Sequence, residues 1–157
     1  MMERTTDLDK NLLAQAIELS FSCPPTDKAY SVGAIIAAFD GTIISTGFSR
    51  EQNGGCHAEE IALEKARRIH AELRGATLYS SMEPCSRRLS GKKPCAEHII
   101  DAGISRVVFC LSEPPHFLDC VGAEKLKHAG IVVLQIQDET LAARARHANA
   151  MLGHAFS

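Results

Sequence analysis

The sequence predicts a layered α/β domain built on a five-stranded mixed sheet, and three observations point to it. Ser31 to Phe39 and Thr42 to Phe48 are largely small, apolar or β-branched runs joined by Asp40-Gly41, a two-residue hairpin signal, so the first two strands should be antiparallel. Residues 76 to 136 then alternate strand, helix, strand, helix, strand, the pattern of parallel strands joined by right-handed crossovers. Finally, 157 residues without a repeat, linker or low-complexity stretch fit one domain, 1–157, able to bury roughly 70% of the surface its unfolded chain exposes.

Each element has a local reason. A first helix is expected over about residues 10 to 22, where Leu13, Ile17 and Phe21 recur at every fourth position and Leu12, Ala16 and Leu19 widen the apolar face. Asp7 or Asp9 is its expected cap, and Cys23-Pro24-Pro25 its stop. Ser31 to Phe39 has the composition of a strand buried on both faces. The polar loop Ser49 to Gly55 precedes a helix starting near His57, whose stripe Ala62, Ala66, Ile69 and Leu73 should run until Gly75. Ala76 to Ser81 reads as a short strand, residues 82 to 94 as a loop, and Cys95 to Ala102 as a short helix ending at Gly103. Ile104 to Leu111 and Ile131 to Ile136 are two more strands of the buried type, separated by a helix near residues 121 to 129. Asp138 should cap a last helix bearing Leu141, Ala145, Ala148 and Leu152 on one face.

Composition narrows the function classes. The formal net charge of −2 supplies no field for gathering polyanions, and aromatics at 5% offer few stacking platforms, so a nucleic-acid partner is disfavoured. The polar start, with acids at Glu3, Asp7 and Asp9, lacks the basic and apolar regions of a signal peptide. No apolar run approaches the ~20 residues of a membrane span. Six cysteines then read as a reduced set that includes metal ligands, and a cytoplasmic protein is expected.

The chemistry concentrates in a split motif: Cys56-His57-Ala58-Glu59-Glu60, then Glu83-Pro84-Cys85 and Pro94-Cys95. One imidazole and two thiols, His57, Cys85 and Cys95, are what a catalytic Zn2+ takes when a fourth position stays open to water. Glu59, two residues past the histidine, is the expected acid/base, as in the His-x-Glu and Pro-Cys pattern of zinc deaminases, although nine residues rather than two separate Cys85 from Cys95. Both halves fall where a helix should begin, and the positive end of a helix favours a thiolate. Zinc would activate water there, and Glu59 would carry its proton to a ring nitrogen and on to the leaving amine. The competing reading is a closed structural site with Cys56 as a fourth ligand, hence a zinc-stabilised binding module without turnover. Glu60 suits a supporting or solvated position better than the proton shuttle. Cys23, Cys110 and Cys120 read as small apolar or loop residues, and the helical and tail histidines as surface groups. His116 and Phe117 differ, lying in a loop after a strand, on the edge where open α/β sheets place ligands.

These residues resemble the cytidine deaminase superfamily of zinc hydrolases, and within it the pyrimidine deaminases of riboflavin biosynthesis. The likeness rests on His57-Ala58-Glu59, Ser81-Met82-Glu83-Pro84-Cys85-Ser86, Gly91-Lys92, Lys93-Pro94-Cys95-Ala96 and the run Ile99 to Val108, and the wide cysteine gap is that branch's own. The resemblance implies a three-layer α/β/α sandwich with strand order 2-1-3-4-5 and a homo-oligomer, dimer or tetramer. It also implies removal of an exocyclic amino group from an amino-pyrimidine, with the diaminohydroxyphosphoribosylaminopyrimidine of riboflavin biosynthesis as leading substrate. Departures bear on the substrate: Ala29-Tyr30 replaces an Asn-Pro that helps hold the pyrimidine, Arg87 replaces a histidine, and Glu113-Pro114-Pro115-His116 replaces Asp-Pro-Asn-Pro. The reductase domain fused to many such enzymes has no counterpart among these residues. Arg87, Arg88, Lys92 and Lys93 form a basic loop whose cations are candidates for a substrate phosphate, Lys92 being the best match to the branch's lysine, with a solvated loop as the alternative. Ala29, Arg87, Lys92, His116 and Phe117 are therefore the expected substrate-binding set. The alternative is a free nucleobase, a nucleoside or another amino-heterocycle such as cytosine, guanine or a specialised metabolite.

Overall fold

The computed structural model describes residues 4–52, 55–86, 88, 91–112 and 121–152. Helix α1, Asp7–Ser20, starts earlier than its apolar stripe suggests. Thr6 is its cap: Thr6 Oγ1 accepts the Asp9 N–H at 3.2 Å while Asp9 Oδ2 accepts the Thr6 N–H at 2.8 Å, a reciprocal capping box. Asp9 is thus the third helical residue rather than the cap, and the helix stops at Ser20, before the prolines are reached.

Strands β1, Gly33–Ala37, and β2, Ile43–Phe48, form the expected antiparallel hairpin. Helix α2, Ala58–Arg68, ends one turn short of the predicted stripe. His70 turns into the left-handed region at φ 53, leaving Ile69 63% exposed, and Leu73 reaches the core from the following turn instead. Gly47 lets α2 lie close on β2, since a Cβ there would stand 2.4 Å from the Ala58 carbonyl oxygen.

Strand β3, Thr77–Met82, pairs antiparallel with β1 and parallel with β4, Arg106–Leu111. Between them runs α3, Cys95–Ala102, ended by Gly103. Helix α4, Gly122–His128, leads to β5, Val132–Gln135, parallel to β4. The expectation that this last strand is fully buried fails because it pairs on one side only and stays half-buried or exposed. Asp138 caps α5, Glu139–His147, accepting the Leu141 N–H at 3.1 Å. Helix α5 stops before Ala148, and Asn149, not Ala148, is the buried residue there.

The sheet order is β2-β1-β3-β4-β5, as the resemblance implies. Alternation along β1 feeds two cores: Ala34 and Ile36 face α2, α3 and α4, while Ile35 and Ala37 face α1 and α5. Three layers result, with the parallel strands ending on the side where α2 and α3 begin. Among the described residues no helix is long and apolar enough to cross a membrane.

Candidate active site

Three segments converge past the end of β3. His57 is the extended residue before α2, Cys95 is the first residue of α3, and Cys85 lies in the loop that follows β3. Their ligand atoms all lie within 4.8 Å of one another, with His57 Nδ1 3.2 Å from the Cys95 sulfur and 3.7 Å from that of Cys85. Tetrahedral zinc with ordinary bond lengths separates such ligand atoms by roughly 3.5–3.8 Å, so the cluster fits the ion in donor type and in spacing. Cys56 stands outside it, and its carbonyl accepts the Arg50 N–H at 3.1 Å.

The local electrostatics favour a thiolate at Cys85. The Cys95 thiol bonded to it holds Cys85 well below the ordinary thiol range against the effect of burial, helped by His57 and by the Cys95 N–H, 3.2 Å from its sulfur. That N–H is the first amide of α3, so the helix terminus acts on the sulfur ten residues earlier as well as on its own residue. Cys95 is pushed up by the Cys85 sulfur and by burial. Burial works against charge on His57, but Cys85 and Glu59 outweigh it and raise the imidazole.

Glu59, the second residue of α2, is 4% exposed and has one oxygen, Oε1, 2.7 Å from the Ser80 hydroxyl. Burial lifts this carboxyl above its ordinary range, against the opposing effects of His57 and Ser80. A buried carboxyl poised in this way can exchange protons with a reacting group. Glu60 serves elsewhere: its Oε1 accepts the His57 backbone N–H at 3.1 Å and an Arg88 N–H at 3.2 Å.

The Cys85 loop is fastened along its length. Its carbonyl accepts the Ala96 N–H, Glu83 Oε2 accepts the Ala123 N–H at 2.9 Å, and Ser86 Oγ accepts the Val121 N–H at 3.3 Å. Gly122 admits the Pro84 carbonyl, which a Cβ at that position would meet at 1.8 Å.

Of the expected substrate residues, Ala29 is exposed in a loop that Arg50 braces through the Pro24 and Tyr30 carbonyls and Ser31 Oγ. Lys92 is exposed in the loop before Cys95. Arg87, His116 and Phe117 lie outside the described residues. Arg88 turns inward, and Lys93 pairs with Asp101. Ser80 is the neighbour that sequence reasoning passed over. Its signal was present, since a hydroxyl inside a strand buried on both faces needs a partner.

A 2-1-3-4-5 sheet that brings His, Cys and Cys together beside a buried glutamate defines a class, the α/β domains with a deaminase-type metal cluster. The chain belongs to the cytidine and deoxycytidylate deaminase family: the model of that family's zinc-binding region matches residues 6–111. It is 45% identical over 134 residues to the diaminohydroxyphosphoribosylamino-pyrimidine deaminase of Schizosaccharomyces pombe, a match covering 82% of this chain and 33% of that protein. The fold is similar to a diaminohydroxyphosphoribosylaminopyrimidine deaminase/5-amino-6-(5-phosphoribosylamino)uracil reductase from Thermotoga maritima. That pair has a TM-score of 0.79 and 32% identity, over 92% of this chain and 40% of the other. It is also similar to the Aspergillus oryzae Rib2 deaminase in complex with DARIPP, with a TM-score of 0.76 and 25% identity over 95% and 98% of the two chains. The chain spans about a third of the length of the curated relatives it matches.

Proposed function

We propose that the protein is a zinc-dependent hydrolytic deaminase that removes an exocyclic amino group from an amino-pyrimidine, with the diaminohydroxyphosphoribosylaminopyrimidine of riboflavin biosynthesis as substrate. The observation that carries the reading is the buried Glu59 carboxyl on the same helix start as His57, beside Cys85 and Cys95. The named relative from Schizosaccharomyces pombe supports the choice of substrate. His57, Cys85 and Cys95 hold the metal, which when bound supplies Lewis-acid activation of water.

Glu59 does the proton work. Ser80 orients this carboxyl through Oε1. The carboxylate takes a proton from water as the oxygen attacks the amino-bearing ring carbon, delivers it to the ring nitrogen, and then moves the remaining proton of the added hydroxyl to the amine. The carbon–nitrogen bond breaks, the carbonyl forms and ammonia leaves. Burial raises this carboxyl's proton affinity, which favours its taking up and returning a proton. Ala29, Arg87, Lys92, His116 and Phe117 complete the proposal as substrate contacts, and a cytoplasmic homodimer or tetramer as its setting.

A second reading keeps the reaction and changes the substrate to a free base, nucleoside or other amino-heterocycle. It is favoured by the engagement of Arg88 with Glu60 and of Lys93 with Asp101, which spends two cations of the basic loop within the protein. Ammonia release from a substrate panel separates the two: turnover of a smaller ring without turnover of the ribosyl phosphate compound sinks the first. Glu59→Gln should lower the rate about 10²- to 10⁴-fold and retain zinc. Unchanged activity in that variant, with zinc removal merely unfolding the protein, would leave a binding module instead.

A further inference from the structure

We infer that Arg88 and Glu60 form a latch that gathers the three ligand-bearing segments and sets how tightly the protein holds its metal. The inference rests on the zinc reading of His57, Cys85 and Cys95 and is independent of the substrate. Arg88 lies three residues beyond Cys85, yet its side chain is only 6% exposed, unlike an arginine reaching for a ligand in solvent. Its donors are spent on the other two segments. Nη2 donates to the Gly55 carbonyl at 3.2 Å, two residues before His57. Nη1 donates to Glu60 Oε1 at 3.2 Å and lies 3.4 Å from the Lys93 carbonyl, two residues before Cys95.

Glu60 completes the closure. The oxygen that accepts from Arg88 also accepts the backbone N–H of His57 at 3.1 Å, which fixes the residue whose ring faces the two sulfurs. Its other oxygen stands 3.8 Å from His98 Nε2, on the helix that Cys95 opens. One guanidinium and one carboxylate therefore tie together a loop, a helix start and a second helix start that are separate in sequence. A bidentate-capable arginine suits this task because its planar fork can reach several acceptors at once, which a lysine ammonium cannot do with the same geometry. Groups that orient first ligands in this way typically change metal affinity 10- to 100-fold when removed. Arg88 and Glu60 are positioning residues, and Arg88 is withdrawn from the set of phosphate contacts.

The test is the rate at which the zinc-loaded full chain gives up its metal to excess chelator, read by the colour of the zinc–chelator complex. Arg88→Ala and Glu60→Gln should each release zinc about 10- to 100-fold faster than the wild type, with Arg88→Lys in between. The double variant should be no faster than the faster single one, because the two residues act as one unit. Cobalt(II)-loaded Arg88→Ala should show altered visible bands, while the thermal midpoint of the metal-free protein stays near that of the wild type. Should Arg88→Ala fail to fold, Arg88→Lys and Glu60→Gln carry the comparison. Release within twofold of the wild type, additive effects in the double variant, or a metal-free midpoint that falls as far as the loaded one overturns the latch. A wild-type protein that retains no zinc overturns the metal reading itself, and the latch with it.

Discussion

Ser80 has one hydroxyl proton and two acceptors at 2.7 Å, Glu59 Oε1 and the Met82 carbonyl, in a position with no access to solvent. It can donate to only one of them at a time, and when it donates to the glutamate it fixes one oxygen of a buried carboxyl. Removing the hydroxyl leaves Glu59 buried with one oxygen unsupported, a loss of about 1.5–3 kcal/mol for a bond to a charged group. Ser80→Ala should therefore lower kcat about 10- to 100-fold with little change in KM, and Ser80→Thr should recover most of the loss. A rise in KM with kcat intact would place Ser80 in substrate binding instead. The spacing of His57, Glu59, Cys85 and Cys95 was legible in the sequence because metal chemistry restricts residue types. Which partner the Ser80 hydroxyl takes, and the inward turn of Arg88, were not legible, because each is defined by a residue 21 or 28 positions away. A basic run such as Arg87 to Lys93 looks the same in sequence whether its cations face solvent or carboxylates.

The short helices α3 and α4 do for the site what their own cores cannot do for themselves. Each is too short to be stable alone, and each is seated by contacts to the Cys85 loop: Ala96 and Ala123 donate their N–H groups to the Cys85 carbonyl and to Glu83, and Gly122 packs on Pro84. A methyl group at Gly122 meets backbone rather than a flexible side chain, so α4 must move or Pro84 must yield. Gly122→Ala should cost about 1–3 kcal/mol of stability by urea unfolding, with an unchanged slope, and should lower zinc retention. Equal stability and full zinc content would show that the loop is not held by this approach. Strand and helix identities were readable throughout, since apolar runs and turn residues alternate cleanly. Their ends were less so, for local reasons: a threonine rather than an aspartate caps α1, and a left-handed histidine cuts α2 short. The half-exposed β5 carries the pair Val132-Val133 as the buried β4 carries Val107-Val108, and its place at the edge of the sheet distinguishes it.

Across the whole molecule, contacts of large sequence separation tie the first helix to the sheet and the segment after the last helix to the loop before β1. Asn149 bridges to the Ser31 backbone through two hydrogen bonds, and Asp9 on α1 accepts from Tyr79 on β3 and from both terminal nitrogens of Arg106 on β4. Burial would raise Asp9, which is 2% exposed, but Arg106, Tyr79 and the Thr6 N–H outweigh it and draw the carboxyl from 3.8 to about 2. A carboxyl depressed in the folded state contributes stability that is fully present above its unfolded value and is lost as pH falls through the folded one, here between about 4 and about 2. A shift of this size contributes roughly 2 kcal/mol of stability at neutral pH. Asp9→Asn keeps the shape, removes the charge and strands Arg106, a larger cost of about 3–5 kcal/mol at neutral pH. The gap in unfolding free energy between wild type and Asp9→Asn should narrow by roughly 1–2 kcal/mol from pH 4 to pH 2. Metal loss in acid affects both proteins alike and cancels in that difference. A gap that stays constant across the window would mean that Asp9 keeps its proton affinity on folding, and that α1 is held by its apolar face, Leu13, Ala16 and Ile17, rather than by this ion pair.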